Sequence, residues 1–498
     1  MTDQAEQLIA EITATNTWPL PREQRIVETV RNRRALRRAN RLRHPHDLER
    51  VKRLMGWAQR APHLGVGDVP REYVHDPIAR KIGQSFADFL WSGEPRFEAA
   101  DEADQPWLGL LVSENHLPDK LHRATATLIV PEGEAWVKIH VDRQVAVSPV
   151  ITFASRLAVV PAWSGEHLTA AAFVTEIVVN DGSAVQTVWR HLEVHAPRVV
   201  RNVLFKGSRT EIGQRHPLAD RPETAGLPDV WAHGLPMLCQ RWVNTLDDDD
   251  HQLGVSEFDG ILDFLRTLNE SRVIAAENAR LTAKKRLFVT DDILSPDGTF
   301  DAGADVIATG SDGHTLGESS GRPPVQAVEY SYDSEPLIAH TDHTQDSILA
   351  AVGLVPQIVG RHVGGRAETG TALKVRLIPT IAAAEAKARQ PDSKLPLLLQ
   401  LAAMVDALPV DQYGFNRRYL GLSKPPTVTR ASLLPRDDTE IVQDNATAVA
   451  AGIRSRRTAI VEQWPAWTPQ DVDDELEQIA ADEHIELPAL PDLDSSPV

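Results

Sequence analysis

The chain holds a single cysteine, Cys239, in 498 residues. One thiol excludes an intrachain disulfide and any cysteine-based metal cluster, and leaves Cys239 to behave as a small buried hydrophobe. No apolar run reaches the roughly 18 residues of a membrane-spanning helix, so no membrane partner is expected. Met1-Thr2-Asp3-Gln4 does not open a secretory signal, which makes the cytoplasm the expected place of synthesis. Positive charge is scarce: 52 Lys and Arg stand against 70 Asp and Glu, a formal net charge of −18. Tight non-specific nucleic-acid binding draws on cationic surface, and this chain is poorly supplied with it. Repulsion of phosphate is a defect in a binder but useful in a conduit that must not hold on.

Catalytic signatures are also missing. Gly370-Thr371-Ala372-Leu373-Lys374 is not a G-x-x-x-x-G-K-[ST] phosphate loop, so ATP hydrolysis is not expected. Neither G-x-S-x-G nor H-E-x-x-H occurs. His340 and His343, with Asp342 and Asp346, come nearest to a metal set. Two histidines at i and i+3 on a helix share a metal only with further ligands, and a polar helix face is the plainer reading. Asp247 to Asp250 lack the spaced ligands and turn glycine of a calcium loop. The expectation is a chain that is not an enzyme, with no catalytic residue, no cofactor and no metal.

What is present is long and ordered. At this length, about two to four structural units are expected rather than one core. Charge is uneven: residues 22–53 carry twelve Arg and Lys against four acids, and residues 436–498 carry four Arg against fifteen acids. Residues 2–15 read as a short helix, and residues 22–42 as a second, ringed by Arg22, Arg25, Arg31, Arg33, Arg34, Arg37, Arg38 and Arg41. That basic helix is either an arm for nucleic acid or an acidic partner, or a solvated face paired with acidic neighbours. Residues 76–93 and 114–130 read as amphipathic helices. The period then changes to two, and EAWVKIHVD, SPVITFA, LAVVPAW, TAAAFVTEIVV, TVWRHLEVHA and VVRNVLFKG read as strands of an at least partly antiparallel sheet.

After Gly254 a long helix is expected, with Ser256 as its N-cap and Phe258, Ile261, Leu262, Leu265 and Leu268 along one side. Thirty residues at about 1.5 Å each span roughly 45 Å. Residues 287–332 form a small β-rich insert, with LFVTDDIL, DVIATG and VQAVEYSY as strands. A polar helix, SEPLIAHTDHTQDSILAAVGL, follows, then a loop with Gly360, Gly364 and Gly365. The next helix, ETGTALKVRLIPTIAAAEAKARQ, contains Pro379, which removes a hydrogen bond and should kink it, and LPLLLQLAAMVDAL continues it. PPTVTRAS reads as one more strand, residues 437–451 and 455–463 as helices, and Thr468-Pro469-Gln470-Asp471 as the start of a last helix.

This order of parts resembles the portal proteins of tailed bacteriophages, specifically the SPP1-like portal family of the kind found in actinobacterial phages. GEAWVKIHVD followed by SPVITF is similar to the family's wing sheet, and GVSEFDGILDFLRTLNES to the helix entering its stem. SILAAVGLVPQIVG followed by ETGTALKVRLIPTIAAAEAK is similar to its second stem helix, tunnel loop and long helix. SLLPRDDTEIVQDNATAVAAGIRSRRTAIVEQWPAWTPQDVDDELEQIAADE resembles its crown. The likeness covers most of residues 75–486.

The resemblance implies an α+β portal fold assembled as a ring. Its parts would be an N-terminal helical arm (1–75), an α/β wing (76–253), stem helix 1 (254–286), a clip (287–332), stem helix 2 (333–353), a tunnel loop (354–369), a kinked channel helix (370–408), a wing return strand (409–436), an α-helical crown (437–486) and a disordered tail (487–498). It implies a homo-dodecamer at one capsid vertex of the virion, through which terminase packages double-stranded DNA and from which the genome is ejected. Partners would be the terminase large subunit, head-completion or adaptor proteins, and the major capsid and scaffold proteins. On that reading Arg361, His362 and Arg366 in the loop, and Lys374 and Arg376 on the helix, face passing DNA. Asp291, Asp292, Asp297, Asp301 and Asp305 would dock basic partner surfaces at the clip. The alternative is a non-portal virion or scaffold protein whose basic N-terminal arm binds nucleic acid.

Overall fold

The computed structural model describes residues 4–39, 43–57, 73–91, 93, 95–143, 146–179, 186–245, 252–282, 286–289, 306–308, 325–328, 335–360, 370–409, 415, 424–430, 438–464, 467 and 469–483. The chain divides into two compact units, Met1–Gly364 with Pro379–Ala431, and Gly365–Ile378 with Ser432–Val498.

The first unit begins with three helices, α1 (Gln4–Ala14), α2 (Gln24–Arg38) and α3 (Pro45–Leu54). Then come α4 (Ile78–Trp91), strand β1 (Arg96–Glu98), α5 (Gln105–Glu114) and α6 (Leu117–Ala124), which runs on through a π turn, Thr125–Ile129. Two sheets follow. β2 (Glu134–His140) lies between β3 (Val150–Ala154) and β10 (Cys239–Val243), antiparallel to both. The larger sheet runs in the order β4 (Val159–Ser164), β5 (His167–Val179), β6 (Thr187–Ala196), β7 (Val199–Gly207) and β8 (Gln214–His216), with β9 (Val230–Trp231) also paired to β7. Every pairing in these two sheets is antiparallel. The region expected as an α/β wing is helices on antiparallel sheets and not α/β in the strict sense, because short connections such as residues 197–198 between β6 and β7 are hairpins, and hairpins impose antiparallel pairing.

The period-two pattern decides which residues meet. On β5, Ala170, Ala172 and Val174 pack with Ala5, Leu8, Ile9 and Ile12 of α1, while Ala171 and Phe173 point the other way, to Trp136 of β2 and Cys239 of β10. On β6, Leu192, Val194 and Ala196 join the α1 side. Helix α1 is thus a lid on the sheet, and residues 4–39 are part of the folded body rather than a free arm. Cys239 is buried as expected, and burial pushes its thiol pKa up.

A 3-10 turn (Asp259–Ile261) leads into α7 (Leu262–Thr282). Its 21 residues span about 32 Å. Strands β11 (Arg286–Val289), β12 (Val306–Ala308) and β13 (Val325–Val328) form a small sheet, with β11 parallel to β12 and antiparallel to β13. Helix α8 (Glu335–Ala351) returns alongside α7. Helix α9 (Gly370–Asp406) runs 37 residues with Pro379, Pro391 and Pro396 inside it. The division between the two units falls at Pro379. Strand β14 (Thr427–Thr429) comes back to pair with β1.

The second unit contains the first turns of α9 and three helices, α10 (Asp438–Ala450), α11 (Arg456–Gln463) and α12 (Pro469–Glu483). Ser455 caps α11 by accepting the Thr458 amide at 3.2 Å. Arg457 reaches Asp473 of α12, and Trp464 stacks on Trp467 with ring centroids 5.4 Å apart.

Candidate functional site

The loop after α8 starts from a braced position. Gly353 has φ +74°, and a Cβ there would lie 2.9 Å from the Ala383 Cβ, so glycine is needed both for the backbone and for the approach to α9. The buried hydroxyl of Thr380 donates to the Gly353 carbonyl at 2.9 Å and accepts the Val355 amide at 3.1 Å. A 3-10 turn, Pro356–Val359, follows and ends at Gly360 with φ +76°. Arg361, His362 and Arg366 lie outside the described residues, as do the clip acids Asp291, Asp292, Asp297, Asp301 and Asp305 and the run Asp247–Asp250. Lys374 sits in the backbone of α9, one turn into the helix. Arg376 is exposed on that helix between Val375 and Ile378, which are 60% and 57% exposed. His340 and His343 lie exposed on α8, and Ser347 donates to the His343 carbonyl at 2.9 Å.

The arginines of α2 divide: Arg25 and Arg31 are exposed, Arg34, Arg37 and Arg38 half-buried and Arg33 buried. Arg33 is buried; its Nη1 donates to the carbonyls of Glu132 and Gly254, both at 2.8 Å, and its other nitrogens bond the Asp259 carboxylate. Arg34 donates to Glu132, and Arg156 pairs with Glu23 and, at 3.2 Å, with Glu134. Glu134 also receives Arg241 and the Gly254 amide. Glu132 and Glu134 are fully buried. Four guanidinium groups therefore face four carboxylates, of which Glu23, Glu132 and Glu134 are buried, and a buried charge is tolerated only when paired in this way.

That network joins the wing to the entrance of α7. Gly133 and Gly254 meet backbone to backbone: a Cβ on either would lie 2.3 Å or 2.2 Å from the other's carbonyl oxygen. The Ser256 hydroxyl donates to the Pro131 carbonyl at 2.7 Å and accepts the Phe258 amide at 3.0 Å, while Asp259 accepts the Ser256 amide. This reciprocal pair is a capping arrangement, set just before the 3-10 turn. Lys387 of α9 bonds Glu257 at 2.7 Å. Lys394, pushed down to about 8 by burial and the nearby Arg241, donates to the Arg241 carbonyl. At the far end of α9, Asp406 accepts the Trp107 indole N–H at 2.9 Å. A second joint uses Asn269 of α7, which accepts the Asp76 amide at 2.8 Å and donates to the Tyr73 hydroxyl, while Gln345 of α8 donates to Asp76. Wing, α7, α8 and the later part of α9 are thus fastened by buried polar contacts.

Sequence reasoning did not single out Glu132, Glu134, Arg156 or Asp259. The available signal was the strand period: Glu134 stands two residues before Trp136, so it shares the buried face of β2. The apolar row expected on α7 is largely interior already, since Phe258, Ile261, Leu265 and Leu268 are buried within the single chain. Phe264 is left out, 42% exposed.

Between the two wing sheets lies a second charged group. Glu193 bonds Lys138 and His195. Burial pushes the Glu193 pKa up, but Lys138 and His195 outweigh it and hold the group well below the usual carboxylate range. Burial pushes His140 down to about 4 and lowers His191, whose Nε2 bonds Asn202 at 3.0 Å.

No protein-family profile matches the chain, and no curated protein matches it by sequence. Among solved structures, it is similar to a chain in the neck of a native gene transfer agent particle computed with C12 symmetry. Identity there is 12% and TM-score 0.38, over 78% of this chain and 89% of that one. It is also similar to a chain in the virion of a native gene transfer agent particle, with 14% identity and TM-score 0.35, over 82% of this chain and 98% of that one.

Proposed function

We propose that this chain is a portal protein: a subunit of a twelvefold ring at one capsid vertex, through which terminase drives double-stranded DNA and from which the genome later leaves. The observation that carries the reading is an ordered one. An antiparallel wing is welded at Gly133 and Gly254 to α7. Helix α7 leads to a three-stranded insert, α8 returns beside it, a braced loop follows, and a 37-residue helix comes back to the wing. The acid-rich helices α10 to α12 then close the chain. Two long helices projecting from a rigid wing suit head-to-tail contacts that close on rotation. The loop braced by Thr380 would extend into the lumen and carry Arg361, His362 and Arg366, while the insert would dock terminase and then adaptor proteins. No catalytic step is assigned to the chain.

The competing reading, a virion or scaffold protein with a basic arm for nucleic acid, has less support because α2 is packed into the folded body with Arg33 and Arg34 spent on Asp259 and Glu132, which leaves Arg25 and Arg31 exposed. Negative-stain imaging of the purified chain tests the proposal. Rings with a central hole support it, and a monodisperse monomer at the concentrations used for imaging overturns it.

A further inference from the structure

Beside the buried network, a cavity of about 560 Å³ opens between α2, the turn Ser155–Ala158 and the faces of β5 and β6. Its charged lining is five arginines, Arg31, Arg34, Arg156, Arg190 and Arg209, against two glutamates, Glu23 and Glu176. Three of the arginines are compensated: Arg34 by Glu132, Arg156 by Glu23 and Glu134, and Arg190 by Glu176 at 2.9 Å. Arg31 and Arg209 are exposed at the cavity and have no carboxylate partner among the described residues. The cavity therefore carries surplus positive charge in a chain that is otherwise acidic.

The inner arginines are held in place before any ligand arrives. Arg190 is 1% exposed, and its other nitrogens donate to the backbone carbonyls of Glu211 (2.8 Å) and Arg209 (3.3 Å). Its guanidinium lies 5.2 Å from the centre of the Trp18 ring, a cation–π contact. Arg156 is 1% exposed too; its Nε is close to Glu134 in charge but lacks an aligned hydrogen-bond acceptor. Val27, Val160, Val174 and Val188 supply an apolar floor. An apolar hollow with a few convergent, pre-positioned polar groups is the usual form of a small-ligand site, and planar guanidinium forks match tetrahedral oxyanions in geometry and charge.

We infer that this cavity binds a phosphate-bearing anion, with Arg31 and Arg209 as the contacting groups and the Arg156–Arg190 framework as the fixed wall. The assignment stands apart from the ring proposal and needs only the folded first unit. The phosphate is either free, as in pyrophosphate, or the diester of a nucleic-acid strand. Both sources offer the same oxygens, so the experiment separates them.

The full chain is titrated with inorganic pyrophosphate by calorimetry, and with a dye-labelled short single-stranded oligonucleotide by fluorescence anisotropy. The variants Arg31→Ala and Arg209→Ala alter only exposed side chains outside the buried network, and an unchanged melting temperature confirms their folding. Each substitution removes one charge-assisted contact and is expected to weaken binding about tenfold. Pyrophosphate binding without oligonucleotide binding assigns a free phosphoanion. Oligonucleotide binding that depends on Arg31 and Arg209 assigns a phosphodiester. The inference is overturned if the wild-type chain binds neither probe at millimolar concentration, or if both variants bind as the wild type does.

Discussion

Gly353, Thr380 and Pro379 show how single residues set the loop. Gly353 takes a left-handed backbone and touches Ala383, so a Gly353→Ala substitution meets strain and a close contact together. It is expected to lower stability by about 1–3 kcal/mol, read as a shift in the urea midpoint. Ahead of that brace, Arg361 and Arg366 carry the proposed contact with DNA. Replacing both with Gln should reduce packaging while leaving ring assembly intact; packaging at the normal level by the double variant would remove their proposed role. The histidines of the wing make a different prediction. Burial holds His140 at about 4, below the 6.5 of the unfolded chain. Its neutral form therefore stabilises the fold fully above pH 6.5, and that stability drains away as pH falls from 6.5 toward 4. Glu193, faced by Lys138, His195 and His140, is depressed and acts in the same direction at lower pH. Melting temperatures recorded from pH 7.5 down to 4.5 should fall steeply, and the fall should be shallower in a His140→Gln variant.

At the scale of elements, the wing-to-α7 junction depends on the paired charges around Glu132 and Glu134. Removing one partner leaves the other buried and uncompensated. Arg33→Met would unpair Asp259, which solvent can reach, and withdraw the donor from the buried Glu132 and Gly254 carbonyls. A loss of about 1–3 kcal/mol is expected in denaturant unfolding, from the buried carbonyls left without their donor, and no measurable loss would mean that the network does not hold the junction. The elements themselves were largely legible in the sequence. Period-two runs gave the six central strands of the wing, and helix formers between turn residues gave α7, α8 and α9, because both patterns are local. The register of β1 with β14, more than three hundred residues apart in the chain, has no local signal. Nor did the arginines of α2 reveal their direction: Arg31 and Arg33 look alike in sequence, yet one faces outward and the other is sealed against Asp259. Partners from 221 and 226 residues away decide that. The three-residue strands β1 and β8 escape a pattern that needs several alternations to register, whereas β14 lies within the run PPTVTRAS that reads as a strand.

For the whole molecule, the apolar surface left open points to assembly. Phe264 on α7 and Ile338 on α8 are 42% and 55% exposed while the other side of α7 is buried in its own chain. In a ring, these outward residues are the ones a neighbouring subunit would cover, whereas Ile261, Leu265 and Leu268 already serve the single chain. Substituting Phe264 and Ile338 together with Asp is expected to leave the monomer's far-ultraviolet circular dichroism unchanged and to shift its sedimentation from a large particle to a single chain. Closure of this chain into a channel, as proposed, is read from electron microscopy of the purified wild-type protein. Ring-shaped particles with a central hole and, in class averages, twelvefold symmetry are expected. Particles that remain single chains, or that associate without any closed ring, would contradict it.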